Sequence, residues 1–185
     1  VALIAAIVYA VLRLAIQVFL FSDALQPEAI AQGAQVSADL QLSYIPAAQH
    51  FKAGEDIYLK GSLEILEHHF PYSPAFAFFF MPILLLPIHI LVPFLVVLHI
   101  GTYILLYIGW DRIFKKNQLH KAALTWAAML PLFLVFSAFW DDLAYMNIYL
   151  IVALFATFLI DALMQEKLGW AIFWLGVVIL PIKPH

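Results

Sequence analysis

The residues of this chain best suited to chemistry are carboxylates and one lysine. Asp39 shares a polar stretch with Asp23, Glu28, Glu55, Asp56, Glu64 and Glu67. Asp141 and Asp142 stand side by side after a long apolar run, and Lys183 follows another. A carboxylate beside a hydroxyl can act on it as a general base, and a lysine can hold a phosphate by charge. Those two roles suit transfer of a group from a lipid phosphate, if the intervening elements gather these residues at one membrane face. Each also has a plainer reading. Asp39 can cap the helix that follows it. Asp56, two residues after Gly54, can belong to a turn. Asp141 and Asp142 can mark the wet end of a helix, and Lys183 can snorkel to the interface. Tyr72 and Trp140 suit the headgroup belt.

Other polar residues point to less. His50, His68 and His69 do not read as a metal site, because adjacent histidines diverge on a helix and no H-E-x-x-H spacing occurs. The chain has no cysteine, which removes disulfides, thiolate ligands and thiol nucleophiles. No cofactor is expected, and a divalent cation has no ligand motif to support it. His89 and His99 lie in apolar sequence and are expected to make local hydrogen bonds. Arg13 and Gln17 are four apart and so share a helical face; a charge at that depth faces protein or water. Phe76, Phe78, Phe79 and Phe80 read as packing and lipid-facing surface. No nucleophile elbow, P-loop, dinucleotide fingerprint or basic tract for nucleic acid is present.

The elements that must position these groups are membrane helices. Of 185 residues, 65% are hydrophobic and 11% charged, with a mean hydropathy of +0.97. Soluble domains carry about 25% charged residues, so lipid must solvate much of the chain. The expected organisation is one transmembrane domain over 1–185: a first membrane helix at 1–22, a loop at 23–72 and further membrane helices over 73–185. The chain starts at Val1 and ends at Pro184-His185 directly after an apolar run, which reads as the N-terminal portion of a longer protein.

The loop holds seven of the 12 acidic residues and, in Lys52 and Lys60, two of the nine basic ones. Loops poor in Lys and Arg are typically non-cytoplasmic. At about fifty residues, this one is too long for an idle connector. Its 38–53 stretch can form a helix at the membrane surface. Arg112, Lys115, Lys116 and Lys121 oppose Asp111 alone in the next polar stretch, which is the clearest cytoplasmic signal. Between these stretches, 74–87 is short for a crossing and broken by Pro74, Pro82 and Pro87, whereas 88–109 is long enough. Alternating sides require an odd number of crossings between Tyr72 and Asp111. Expected crossings follow at 122–140, 147–163 and 168–180, for about five or six helices in all.

The local wording is more specific. Asp39, Tyr44, Ala47, Ala48, Gly54, Asp56 and Tyr58 follow the first membrane helix in the order D-x4-Y-x2-A-A…G-x-D-x-Y. Phe70-Pro-Tyr72-Ser73-Pro74 then leads into a proline-rich apolar segment, and Ile182-Lys183-Pro184 closes a later one. This ordered set resembles the polyprenol-phosphate-sugar-dependent glycosyltransferases of the type C fold. It is most similar to family 87, which includes mycobacterial mannosyltransferases. The resemblance covers the whole chain but only about the first half of such an enzyme. Where the family often shows G-Q-x-N, this chain has Ala144-Tyr145-Met146-Asn147 and keeps only the Asn.

The resemblance implies an all-α, polytopic transmembrane fold with a large extracytoplasmic first loop. It also implies transfer of a hexose such as mannose from a polyprenyl phosphate with inversion at the anomeric carbon. Asp39 would be the general base, and Lys183 would neutralise the donor phosphate with His185 as helper. Tyr44, Asp56, Tyr58 and Tyr72 would shape the site or fix the loop, and Asn147 would contact substrate. The partners implied are a polyprenyl-phosphate-linked sugar donor, a glycolipid, polysaccharide or protein acceptor, and the lipid bilayer, with no nucleic acid. The location implied is the bacterial cytoplasmic (inner) membrane, with the active site on its extracytoplasmic face. A transporter or flippase for a lipid-linked substrate is the alternative, since proline-broken helices and Arg13 would serve it as well. A non-catalytic assembly subunit is a third reading.

Overall fold

A computed structural model of the chain describes residues 1–37, 39–58 and 72–182, and the described residues are helical with no strand. Lys183 and His185, the 59–71 part of the loop with His68 and His69, and the Ile182-Lys183-Pro184 motif beyond Ile182 lie outside them.

Helix α1 (Ala2–Ala24) is long and apolar enough to cross a membrane. Ala6, Ala10, Arg13, Leu14, Gln17, Phe21 and Ala24 are its less exposed positions. Their three- and four-residue spacing makes one stripe along the helix, so the Arg13–Gln17 face is the protein-facing one, as their polarity requires. The rest of α1 is an exposed apolar surface suited to lipid. A short helix α2 (Pro27–Ala31) follows.

A π-helical turn (Asp39–Tyr44) then runs directly into α3 (Ile45–Ala53). Gly54 ends α3 in the left-handed region at φ 73°, a conformation that glycine adopts without a Cβ penalty. Leu40, Tyr44, Ala47 and Ala48 form its buried stripe. A helix therefore occupies most of the stretch in which one was expected, and its apolar side packs on α4 (Pro74–Leu84). Phe76 and Ala77 of α4 close that contact.

At 11 residues, α4 is about 16 Å long, well short of a bilayer core of about 30 Å. Helix α5 (Ile88–Lys116) has 29 residues and meets the span criterion easily. The interval from Tyr72 to Asp111 thus contains one short helix and one full-length span. Lys115 and Lys116 lie in the last turn of α5, where cations face the negative end of the helix.

The crossing expected over 122–140 is broken. Helices α6 (His120–Ala128), α7 (Leu130–Leu134) and α8 (Ser137–Tyr145) follow one another, with a 50° bend between α6 and the rest. Pro131 in the first turn of α7 supplies no N–H to continue α6. Helix α9 (Tyr149–Met164) packs along α5. The two approach closely where Gly109 faces Thr157, because a Cβ on Gly109 would lie 3.3 Å from the Thr157 methyl. Small residues at such crossings let helix backbones come together. The chain continues through α10 (Leu168–Ile172), a π-helical segment (Phe173–Ile179) and α11 (Leu180–Ile182), which touches α4.

By length and composition, two of these helices can span a membrane, or three if the bent α6–α8 run is one span. The crossings expected at 147–163 and 168–180 fall on shorter apolar helices. The described residues are all-helical, and the protein has the character of an integral membrane protein.

Two buried clusters hold it together. One joins the 39–53 segment, α4, the start of α5 and the α8–α9 junction through Leu40, Tyr44, Phe76, Leu91, Met146 and Ile148. In the other, the Tyr103 ring lies between Phe133 and Phe139, stacked at centroid distances of 4.0 and 3.9 Å. That stack ties α5 to α7 and α8, with Ala10 and Leu14 of α1 against it.

Candidate active site

Helix α8 ends because Met146 turns into the left-handed region at φ 53°. The following Asn147 donates its backbone N–H to Asp142 O at 2.9 Å, and α9 starts two residues later. Such breaks leave backbone groups without helical partners, and side chains fill the gap here. Asn147 Oδ1 accepts from the Ile148 N–H at 2.8 Å. Asp142 Oδ2 accepts from the Leu150 N–H in the first turn of α9 at 3.2 Å, where a carboxylate also suits the positive end of the helix.

The Ile148 bond fixes which way the Asn147 amide points. A backbone N–H can only donate, so the atom it meets must be the carbonyl oxygen. The amide nitrogen then points the other way, to Asp39 Oδ2 at 3.0 Å. Two tyrosines crowd the same carbonyl oxygen. Tyr44 Oη lies 3.1 Å from it and Tyr72 Oη 3.2 Å, and the two phenols are 2.9 Å apart. Two phenol hydrogens cannot satisfy three such contacts at once. Either both tyrosines donate to Asn147, or one donates to the other and that one to Asn147. Tyr72 also stacks on Phe76 at 4.9 Å.

Burial governs the electrostatics. It pushes the Asp39 carboxyl above its ordinary value of 3.8, because desolvation disfavours the charged form. Burial also raises Tyr72 to about 12 and raises Tyr44 further, with Tyr72 itself adding to the effect. Both phenols stay protonated donors throughout the neutral range. Asp39 is the member of the cluster poised to exchange a proton: it is only partly buried, and among the described residues its Oδ1 has no hydrogen-bond donor.

The cluster thus unites four of the residues singled out from the sequence: Asp39, Tyr44, Tyr72 and Asn147. Tyr58 stands one step away and donates its hydroxyl to the Tyr72 carbonyl oxygen at 2.8 Å. Asp56 does not join. It is exposed, and its Oδ1 accepts from the Tyr58 N–H at 2.9 Å, the two-residue Asx turn that its plainer reading anticipates. The Asp141–Asp142 pair divides, with Asp141 exposed and Asp142 buried beneath the cluster. No group of three or more His, Asp or Glu residues that could hold a metal occurs among the described residues.

Two contributors were not visible as such in the sequence. Ser37 donates its hydroxyl to the Tyr145 carbonyl oxygen and so anchors the loop beside Asp39. His99, 1% exposed, makes the local bond expected of it to Leu95 O at 2.7 Å but also reaches Asn147 O at 2.6 Å. The second contact links residues 48 apart in the chain, and nothing local in the sequence signals it.

The space around the cluster limits access. A cavity of about 20 Å³ lies against Tyr44, Phe76, His99, Met146 and Ile148, room for about one water. Anything larger than a water must therefore approach Asp39 from its exposed side. A larger open pocket, about 260 Å³ and lined by Asp161, Lys167, Trp170 and Trp174, sits near the far end of α9. That is about 18 Å from the junction at helical rise, so it is separate from the cluster.

Fold and site together define a helical membrane protein with a polar cluster built where a loop segment meets a helix break. No protein-family model, curated protein or solved structure matches the chain.

Proposed function

We propose that the chain is part of a membrane glycosyltransferase that moves a hexose from a polyprenyl phosphate to a hydroxyl acceptor on the extracytoplasmic side. The observation that carries this reading is the Asn147–Asp39 hydrogen bond of 3.0 Å, which aims a partly exposed carboxylate from a tyrosine-lined cluster. A base in transfer needs that combination of orientation, access and a proton affinity lifted by burial.

In this reading, Asp39 Oδ1 takes the proton of the acceptor hydroxyl as that oxygen attacks the anomeric carbon. The bond from that carbon to the phosphate oxygen breaks on the opposite face, so configuration inverts. The leaving polyprenyl phosphate is already a stable anion and needs no proton, unlike the leaving oxygen in glycoside hydrolysis. Lys183 is the sequence candidate for neutralising that phosphate, with His185 as its helper. Tyr44, Tyr72 and Asn147 hold the base and border the acceptor. The acidic composition of the loop and the basic end of α5 favour the extracytoplasmic assignment. His99 beside the cluster and Lys115 in the basic turn are 16 residues apart on one helix, about 24 Å.

The test is a transfer assay on the full-length protein with labelled polyprenyl-phosphate sugars and membrane acceptors, with the anomeric configuration of the product determined. An inverted glycoside is expected. A retained configuration, or no product from any donor, overturns the reading.

A transporter for a lipid-linked substrate is the second reading, favoured by the 50° break between α6 and α7 and by the Arg13 Nε, which is out of solvent and lacks a hydrogen-bond partner among the described residues. Substrate movement across vesicles without chemical change would select it.

A further inference from the structure

The bonds of His99 carry information about its charge. Both of its ring nitrogens meet carbonyl oxygens: Nδ1 faces Leu95 O at 2.7 Å, and Nε2 faces Asn147 O at 2.6 Å. A carbonyl oxygen only accepts. A neutral imidazole has one N–H, so it would set a nitrogen lone pair against an oxygen lone pair at one of these contacts. Only the doubly protonated ring satisfies both. A buried cation in such a setting needs a counterion, and Asp142 Oδ2 lies 3.7 Å from Nε2. Asp142 is itself 7% exposed and is held by the Leu150 N–H.

From this geometry we infer that His99 is a buried imidazolium, charge-paired with Asp142, and serves as the positioning residue of the site. The ring clamps the backbone carbonyl of Asn147 from α5, while Asp142 holds the first turn of α9. Between them they fix the residue whose side chain aims Asp39. The other titratable groups nearby are Tyr44, which borders the same small cavity, and, beyond Asn147, Asp39 and Tyr72. Neither tyrosine can supply the balancing charge while protonated, and Asp39 pairs with the Asn147 amide instead, which leaves that role to Asp142, 3.7 Å from Nε2.

The positioning role rests on the transfer reading, whereas the charge state does not, and the experiment separates them. Full-length protein in lipid nanodiscs is labelled with ring-15N histidine, and the His99 signals are assigned by their loss in His99→Gln. Both ring nitrogens are expected to carry protons at neutral pH, and Asp142→Asn is expected to convert the ring to a neutral tautomer. An unprotonated ring nitrogen in the wild type overturns the inference whatever the transfer assay gives. An imidazolium that persists in Asp142→Asn overturns the pairing.

Where transfer is measurable, His99→Gln should lower kcat on the order of 10- to 100-fold, the scale of a small misplacement, with little change in donor KM. An unchanged kcat overturns the positioning role. Absence of transfer in the wild type counts against the proposed function alone, because the nitrogen signals still report the charge.

Discussion

The side-chain amide of Asn147 donates to Asp39 Oδ2 at 3.0 Å across 108 residues of chain. This bond joins the loop after the first membrane helix to the break between α8 and α9. Neither element could orient the carboxylate alone. The loop supplies the acid, and the break supplies a polar side chain whose orientation the Ile148 N–H has already fixed.

Replacing that amide with a carboxylate should shift how the site titrates. In Asn147→Asp, the new oxygen would face Asp39 Oδ2 at the same short distance, and neighbouring like charges raise the proton affinity of one of them. The acid limb of the pH–rate profile should move to higher pH relative to the wild type. An unmoved limb would mean that position 147 does not touch the proposed base.

The wild-type limb has a defined direction too. Burial holds Asp39 above its ordinary 3.8, so ionised base, and with it turnover, should appear only as pH rises past that value. Stability runs the opposite way. The folded state binds this proton more tightly than the unfolded chain, so the contribution of Asp39 to stability is full below 3.8 and is lost as pH rises through the raised value. Comparing wild type and Asp39→Asn, by kinetics and by unfolding across that window, would reveal both slopes. A turnover limb below 3.8 would contradict the account.

Tyr44 and Tyr72 share two hydrogens among three contacts, so their contributions cannot be independent. Each Tyr→Phe change should cost about 1 kcal/mol. The double variant should depart from the sum by roughly 0.5 kcal/mol or more. Unfolding of the four proteins of the cycle in one detergent measures the coupling, and strict additivity would rule out the shared network.

The α5–α9 contact can be probed away from the site. Gly109→Ala asks the Thr157 methyl to shift by only a few tenths of an ångström, given its 3.3 Å approach, and should be nearly neutral. Gly109→Leu overpacks the crossing and should cost about 1–3 kcal/mol. Equal thermal stability of the two variants would place the helices further apart than described.

The sequence revealed the helical membrane character because a charge deficit and long apolar runs leave few alternatives. It also pointed to Asp39, Tyr44, Tyr72 and Asn147 through an ordered resemblance. It did not reveal that Asn147 is the hub, because its role depends on the left-handed turn at Met146, a conformation that methionine does not announce. The break after Ala128 was missed even though Pro131 lay in view, because the apolar pattern continues through it. His99 read as a local bond former because its first partner is four residues away, whereas its second is set by packing of α5 against the α8–α9 junction. Asp56 makes the two-residue turn bond to Tyr58 that its place after Gly54 already offered.

The most direct check is to compare wild-type and Asp39→Asn full-length protein for donor binding and for single-turnover formation of labelled product. The account predicts that the variant binds the polyprenyl-phosphate sugar as the wild type does but loses transfer by at least about 100-fold, at the upper end of what a positioned general base contributes. Transfer by Asp39→Asn at near wild-type rate would contradict it.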